Sequence, residues 1–475
     1  MPSPLQKRSE DSSFLAFAKS TGVFFVGNTL SKVITLLLLP LYTNMLPTED
    51  YGYYDLTVTC VTLLTAFLYC DIWSSVMRFM RDDLEGDNPR KVISSGWMIF
   101  LCSTILYYAI GLSSSLVIEI PNLPLILVYG TFLNVQSMFS CIARGWGKNF
   151  DFSLSGVMNT AVNVLLNLSL ILVVGIGYEA LYISYIFGCL VQCGYLFFKL
   201  KMWRSLKMPT FRQTKELFLY TAPLGINAVS YWLLNSFGRL AVFFVLSLSA
   251  NGIFAIGSKF GSTVALATTC FTYAWQDIAF TKDVKPGSFY SNATSQYAGF
   301  LIAAVALLMP LISLFFPILV GNDYVESYGV IPSFLLVAAL SAISTFVGNI
   351  FYVIKDTKAI SRSMIVACAC NVAICYPLTI SFGCLGANIS VLVSFAVNIG
   401  IRFAILRKSM DFEISPKSLM PSICLLVFSS FVYELRYTPL TSFFLLFELV
   451  CFAYMYRTHV SSLVRAIVKK SKESR

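Results

Sequence analysis

Gly27-Asn28-Thr29-Leu30-Ser31-Lys32, continuing through Leu36 to Leu39 into Pro40-Leu41-Tyr42-Thr43 and the turn Glu49-Asp50-Tyr51-Gly52-Tyr53-Tyr54, decides how the rest of the chain is read. The stretch reads as a membrane-spanning helix over about residues 21–46, a polar turn, and a second helix that starts near Asp50. Lys32 falls about halfway across the first span. An ammonium at that depth costs roughly 2.5–3.5 kcal/mol on insertion scales, so it faces protein or water rather than lipid. One reading is a lysine that snorkels or pairs with a helix dipole. The sharper one is a cation lining a path for an anion.

Composition sets the class. Hydrophobic residues make up 57% of the 475 and charged ones only 12%, with a mean hydropathy of +0.74. Soluble chains carry about 25% charged residues, so this is an all-α polytopic membrane protein. Segments able to cross a hydrocarbon core of roughly 30 Å fall at about 21–46, 50–73, 92–118, 122–143, 152–175, 178–200 and 216–246. Seven more follow at about 250–280, 296–320, 328–354, 362–382, 384–406, 419–434 and 439–457, which makes about fourteen predicted helices. The segment 419–434 is the shortest and is expected to be tilted or partly interfacial. The polar start, Met1 to Ser13, leads into an apolar run without a cleavage site behind it, so the first helix is expected to be retained.

Several chemistries are excluded by the residues at hand. The thirteen cysteines are scattered through apolar segments, and Cys368-Ala-Cys370 places its thiols on different faces of a helix, which suits neither zinc nor redox work. The sole histidine, His459, ends the last predicted helix, so no histidine metal cluster or Ser/His/Asp triad can form. No metal, cofactor or enzymatic activity is expected. The net charge of +10 could suggest nucleic acid, but its distribution accounts for it as topology. Thirty of the 34 lysines and arginines fall in segments on one side of the predicted membrane, one (Arg436) on the other, and three within helices. Both termini are therefore expected in the cytoplasm of a cell whose inner (plasma) membrane holds the chain, and no nucleic-acid partner is expected.

The chain also repeats itself. Tyr51-Gly52-Tyr53-Tyr54 is echoed by Asn251-Gly252-Ile253-Phe254 at an offset of 200 residues. Asn163 precedes Gly175-Ile176-Gly177 as Asn371 precedes Gly383-Cys384-Leu385-Gly386, at an offset of 208. Two pseudo-symmetric six-helix lobes follow, residues 1–205 and 206–410, with residues 411–475 holding two further helices and a basic tail. Repeat-built transporters place their substrate path between such halves, near the bilayer midplane.

These residues together resemble the Wzx-type O-antigen and capsule flippases, the polysaccharide transporters of the multidrug/oligosaccharidyl-lipid/polysaccharide superfamily. The resemblance rests on Gly27-Asn28-x-Leu30-Ser31-Lys32, Leu37 to Thr43 and Glu49-Asp50-Tyr51-Gly52-x-Tyr54-Asp55. In the second half it rests on Tyr220, Pro223-Leu224, Asn235, Arg239, the run Asn251 to Lys259, and Lys355-Asp356-Thr357-Lys358. It implies a MATE-like, two-lobed transporter that moves an undecaprenyl-diphosphate-linked oligosaccharide from the inner to the outer leaflet by alternating access. The lipid-linked oligosaccharide and the bilayer are then the partners, and polysaccharide polymerase machinery is the further partner such a transporter would meet.

A diphosphate crosses hydrocarbon only with its charge compensated, and Lys or Arg does this. The predicted spans supply Lys32, Arg239 and Lys259, which are the candidate diphosphate ligands; Arg78 and Arg144, at helix ends, are candidates for meeting the substrate first. Asp55, Asp71 and Asp277 are read as ordinary acids near helix ends, and Tyr53, Tyr54, Tyr69, Tyr231, Trp232, Tyr273 and Trp275 as core or interfacial aromatics ahead of sugar contacts. Two alternatives share the architecture. A peptidoglycan lipid II flippase would also be basic inside, and a drug or cation antiporter would need deep acids where this chain has bases. On a cysteine-free background, cysteines at Asn251 and Asn322 should react with an impermeant thiol reagent added outside intact cells, and one at Ser205 should not. Labelling at Ser205 would invert the topology.

Overall fold

The computed structural model describes residues 36–80, 88–204, 208–279, 286–354, 356–414 and 416–457. Among them there is no strand, and ten helices are long and apolar enough to cross a membrane, eleven if one bent pair is a single span. The chain divides into two compact units. The first runs up to Lys259 and takes in Asn322–Ser327 and Ser361–Ser394; the second holds Phe260–Gly321, Tyr328–Ile360 and Phe395 onward.

In the first unit, α1 (Leu39–Met45) is the described end of the first expected span, with Pro40 in its first turn, where a missing N–H leaves no helix bond unmade. Leu46 and Pro47 turn the chain into α2 (Thr48–Leu68). The buried Tyr324 seals this turn, its hydroxyl donating to the carbonyls of Leu46 (2.9 Å) and Pro47 (3.0 Å). The second expected span is longer than its hydropathy suggested. After α2 it bends by 48° and continues as α3 (Ile72–Met80). The bend sits at Cys70 and Asp71, with φ of 48° and 57°, left-handed values that interrupt an α-helix wherever a side chain is present. α4 (Asn88–Ser114), α5 (Leu123–Gly145), α6 (Asn149–Ser169, running into a π turn at Leu170–Val174) and α7 (Glu179–Lys199) complete the first half.

Two kinds of packing hold these helices. One is aromatic: Tyr182 meets Tyr54 and Tyr129 edge-on at 4.9 and 5.5 Å, and Tyr185 meets Tyr129 at 4.7 Å, which joins α2, α5 and α7. The other is a closed amide network in which Tyr185 donates to Gln136 (2.7 Å), and both Gln136 (2.7 Å) and Asn159 (2.8 Å) donate to Gln192 Oε1. Side-chain hydrogen bonds of this sort fasten helices together where lipid supplies no hydrophobic drive.

α8 (Phe211–Val245) and α9 (Leu248–Ala279) form the counterpart of the first hairpin. Ser247 caps α9, its Oγ accepting from the Ala250 N–H at 3.0 Å. The two hairpins cross at equivalent residues. A Cβ on Gly52 would lie 1.9 Å from the Leu248 carbonyl oxygen, and one on Gly252 would lie 2.0 Å from the Thr48 carbonyl oxygen. Subtracting 200 turns each contact into the other, as a local two-fold relation requires. Asn251 completes the crossing by donating to the Gly52 carbonyl at 2.9 Å. It is 0% exposed, so the labelling test of topology narrows to Asn322, which is exposed.

α8 is pinned along its length. Thr221 donates to Ser75 (2.8 Å), Trp232 Nε1 donates to Thr62 (3.0 Å), and Asn371 donates to the Leu233 carbonyl (3.0 Å). Asn371 lies on α12 (Thr357–Met410), which is regular except at Gly383 (φ 59°, ψ −139°). At about 1.5 Å per residue so long a helix is more than twice a bilayer core. Gly386 shows the reversal: a Cβ there would lie 1.9 Å from the Leu378 carbonyl oxygen, so the chain folds back on itself. Residues on either side of Gly383 match the two spans expected there.

The second unit contains α10 (Gly287–Leu319), most of α11 (Ser327–Val353), the end of α12, α13 (Pro416–Leu435) and α14 (Thr438–Met455), with α13 and α14 packed on α10. The segment expected to be short is a full twenty-residue helix, because it begins at Pro416 and includes Lys417 and Ser418. Arg436, the lone base on its predicted side, lies 4.4 Å from the centre of the Tyr328 ring, which stacks on Tyr433 at 4.0 Å. Arg402, one of the thirty bases assigned above to one side of the membrane, is instead 2% exposed inside α12 and donates to Ser344 Oγ at 3.0 Å and to the Ser344 carbonyl. The asymmetry of basic residues survives without it.

The glycine crossing makes a direct prediction. Gly52→Ala and Gly252→Ala should each lower the unfolding midpoint in detergent, corresponding to about 1–3 kcal/mol of overpacking. Gly156→Ala, where a Cβ meets nothing within 4 Å, should not. Equal midpoints for all three would show that the crossing is not close-packed.

Candidate functional site

The two hairpins carry a cluster of charges on α2, α8 and α9. Asp55 lies two turns into α2, about 10 Å from its start. It is 8% exposed, and Arg239 on α8 donates to its Oδ2 through Nε at 2.8 Å. Arg239 Nη2 also donates to Ser258 Oγ on α9 at 3.1 Å, and Ser258 in turn donates to the Ala255 carbonyl at 2.7 Å. Lys259, half-buried on the same helix, lies within electrostatic range of both Asp55 and Arg239. Tyr51 borders Asp55 and Arg239, and Tyr54 borders Asp55. Three helices thus bring two cations, one anion, a hydroxyl and two phenols to one place.

This arrangement follows from local sequence. An acid and two bases within apolar helices are each costly to leave unpaired, by several kcal/mol. The repeat supplies the scaffold but not the charges: at the 200-residue offset Asp55 corresponds to Ala255 and Lys259 to Thr59. A near-symmetric backbone therefore presents an asymmetric charge pattern.

The expected site residues are partly brought together. Arg239 and Lys259 are neighbours. Lys32 lies outside the described residues. Arg78, exposed in the last turn of α3, is roughly 30 Å along the helix path from Asp55. Arg144 ends α5 with its guanidinium 5.8 Å from the centre of the Phe152 ring. Neither belongs to the cluster around Arg239. Asp55 was missed because it was read as an acid near a helix end; Asp71 does sit at such an end, at the α2–α3 bend, whereas Asp55 is an internal counterion. The available signal was the imbalance itself, since bases in apolar spans require an acid. Of the aromatics singled out, Tyr69 and Trp232 are core, Trp275 stacks on Phe346 at 4.3 Å, Tyr53 donates to the Pro121 carbonyl at 2.8 Å, and only Tyr231 is exposed among those whose side chains are described.

The fold and the spans define a polytopic helical membrane protein. It is similar to a solved lipid II flippase MurJ in an inward closed conformation, with a TM-score of 0.70 over 92% of this chain and 99% of that one at 14% identity. An inward-facing multidrug resistance MATE family transporter of the MOP superfamily matches at 0.62 over 80% of this chain and 99% of that one, at 13% identity. An outward-facing MATE family transporter matches at 0.53 over 83% and 95%, at 14% identity. No curated protein sequence matches. The family described as "Polysaccharide biosynthesis protein" matches residues 17–274, more than half of the chain, and the chain belongs to that family. The fold expected from the sequence resemblance, and its link to polysaccharide biosynthesis, are thereby supported.

The ion pair has a measurable consequence. Asp55→Asn strands the guanidinium and should destabilise the protein by about 3 kcal/mol, and Arg239→Gln, which leaves the carboxylate only Lys259 in range, should also destabilise it. The double substitution should recover most of that loss in a thermal unfolding cycle. Additive losses would show that the two groups do not interact.

Proposed function

We propose that the chain carries an undecaprenyl-diphosphate-linked oligosaccharide, an O-antigen, capsule or exopolysaccharide repeat unit, from the cytoplasmic to the outer leaflet of the inner membrane by alternating access. Both termini are then cytoplasmic, and the two repeats rock about the substrate path. The observation that carries the reading is the pair of cations, Arg239 and Lys259, held in apolar helices next to Asp55. Lys32 is proposed as a third ligand of the diphosphate, and Arg78 and Arg144 as the groups that meet it first. Membership of the polysaccharide biosynthesis family favours a sugar polymer precursor as cargo.

The fold likeness to a lipid II flippase keeps that cargo as the second reading, since lipid II carries the same diphosphate-polyprenyl group. A cation antiporter is disfavoured on charge. Asp55 is a deep acid, but Arg239 already neutralises it, and Lys259 adds further positive charge.

Rescue of surface polysaccharide in a flippase-deficient cell tests the proposal. Lys32→Gln, Arg239→Gln and Lys259→Gln should insert and lose most of the rescue, while Lys32→Arg and Lys259→Arg keep part of it. Full rescue by all three glutamine variants would make the cations structural. Rescue of a lipid II flippase-depleted cell, without rescue of polysaccharide, would select the second reading.

A further inference from the structure

A carrier that takes an anion across hydrocarbon makes one crossing loaded and one empty, and the empty crossing exposes the problem the cargo had solved. With the diphosphate gone, the Arg239 guanidinium remains charged among apolar helices, an arrangement that is costly unless an anion replaces the cargo. The geometry points to Asp55 as that replacement: a resident counter-anion that holds Arg239 when the substrate site is empty and gives it up to the diphosphate. The inference rests on the proposed diphosphate cargo and adds the residue that opposes its binding.

Three observations carry it. First, the contact is a single hydrogen bond. Asp55 takes Nε, and Ser258 accepts from Nη2. A guanidinium offers five N–H donors and binds phosphate oxygens in pairs, so a diphosphate can compete for Arg239 by offering more acceptors than one carboxylate uses. Second, the Arg239 side chain is 21% exposed and the Asp55 side chain 12%. The cation is therefore the more accessible member of the pair. Third, Lys259 lies close enough to interact with Asp55 as well as Arg239. When the diphosphate takes Arg239, the carboxylate retains a cation nearby. A purely structural ion pair needs neither the partly exposed arginine side chain nor the second base.

A structural salt bridge and a counter-anion make opposite predictions for one variant. In purified full-length protein in nanodiscs, undecaprenyl diphosphate binding should be roughly tenfold tighter for Asp55→Asn than for the wild type, because a competing buried charge has been removed. Translocation by the same variant should fall at least as far, because the unloaded carrier keeps a guanidinium without its carboxylate. Asp55→Glu should restore both. A structural role alone predicts unchanged or weaker binding, and that result overturns the inference. If Asp55→Asn does not insert, the comparison moves to the Lys259→Gln background, where adding Asp55→Asn keeps the charge balance of the wild-type site. It should again tighten binding relative to Lys259→Gln alone, and equal or weaker binding overturns the inference. A wild-type protein that binds no undecaprenyl diphosphate overturns the diphosphate reading itself, which separates the two failures.

Discussion

A guanidinium held among apolar helices requires an anion, and in this chain the requirement joins residues 184 positions apart, Arg239 on α8 and Asp55 on α2. That contact determines which helices must be neighbours. α2, α8 and the start of α9 have to approach closely enough for Nε to reach a carboxylate at 2.8 Å and for Nη2 to reach Ser258. Such an approach is possible only because the helices carry glycine where their backbones cross. At Gly52 and Gly252 the opposing carbonyl oxygens sit where a methyl group would be, so the close-packed end of the hairpins and the paired charges one to two turns farther along are parts of one arrangement. Trp232 on Thr62 and Asn371 on α8 carbonyls then fix the rotation of α8 that keeps Arg239 facing α2.

The backbone of this arrangement is repeated and its chemistry is not. Equivalent turns, equivalent glycines and reciprocal contacts relate the first hairpin to the α8–α9 hairpin, while acid and base occupy positions whose counterparts are Ala255, Thr59 and Leu39. The repeated hairpins supply a common scaffold, and substitution at single positions gives it an asymmetric charge pattern. In the proposed cycle an anionic cargo leaves the unloaded site in need of an anion, and Asp55 is that anion.

Much of the fold is legible in the sequence because membrane proteins write it in composition. Runs of apolar residues mark the spans, basic residues mark the connections, and Gly383 between two runs marks the reversal inside α12. What escapes this reading depends on partners distant in sequence. Asn251, at the start of a helix, reads as a solvated turn residue and is instead sealed against the Gly52 carbonyl. Arg402 reads as part of a basic connection and is buried against Ser344. The bend at Cys70 and Asp71 leaves no trace in hydropathy, because left-handed φ values here fall on residues with side chains rather than on glycine. For the candidate site, the sequence exposes the bases, since a charge in an apolar run stands out at once. It hides the acid that pairs with one of them, since an aspartate near a tyrosine-rich turn looks hydrated until α8 is placed beside it.

In the proposed exchange a diphosphate takes Arg239 and Lys259 and displaces Asp55. A cryo-electron-microscopy structure of the protein in nanodiscs with undecaprenyl diphosphate is the decisive measurement. Diphosphate density should lie within hydrogen-bond distance of Arg239 and Lys259, with the Arg239 Nε to Asp55 contact lengthened beyond hydrogen-bond range. Diphosphate density elsewhere, with the Arg239–Asp55 pair intact, would contradict the exchange.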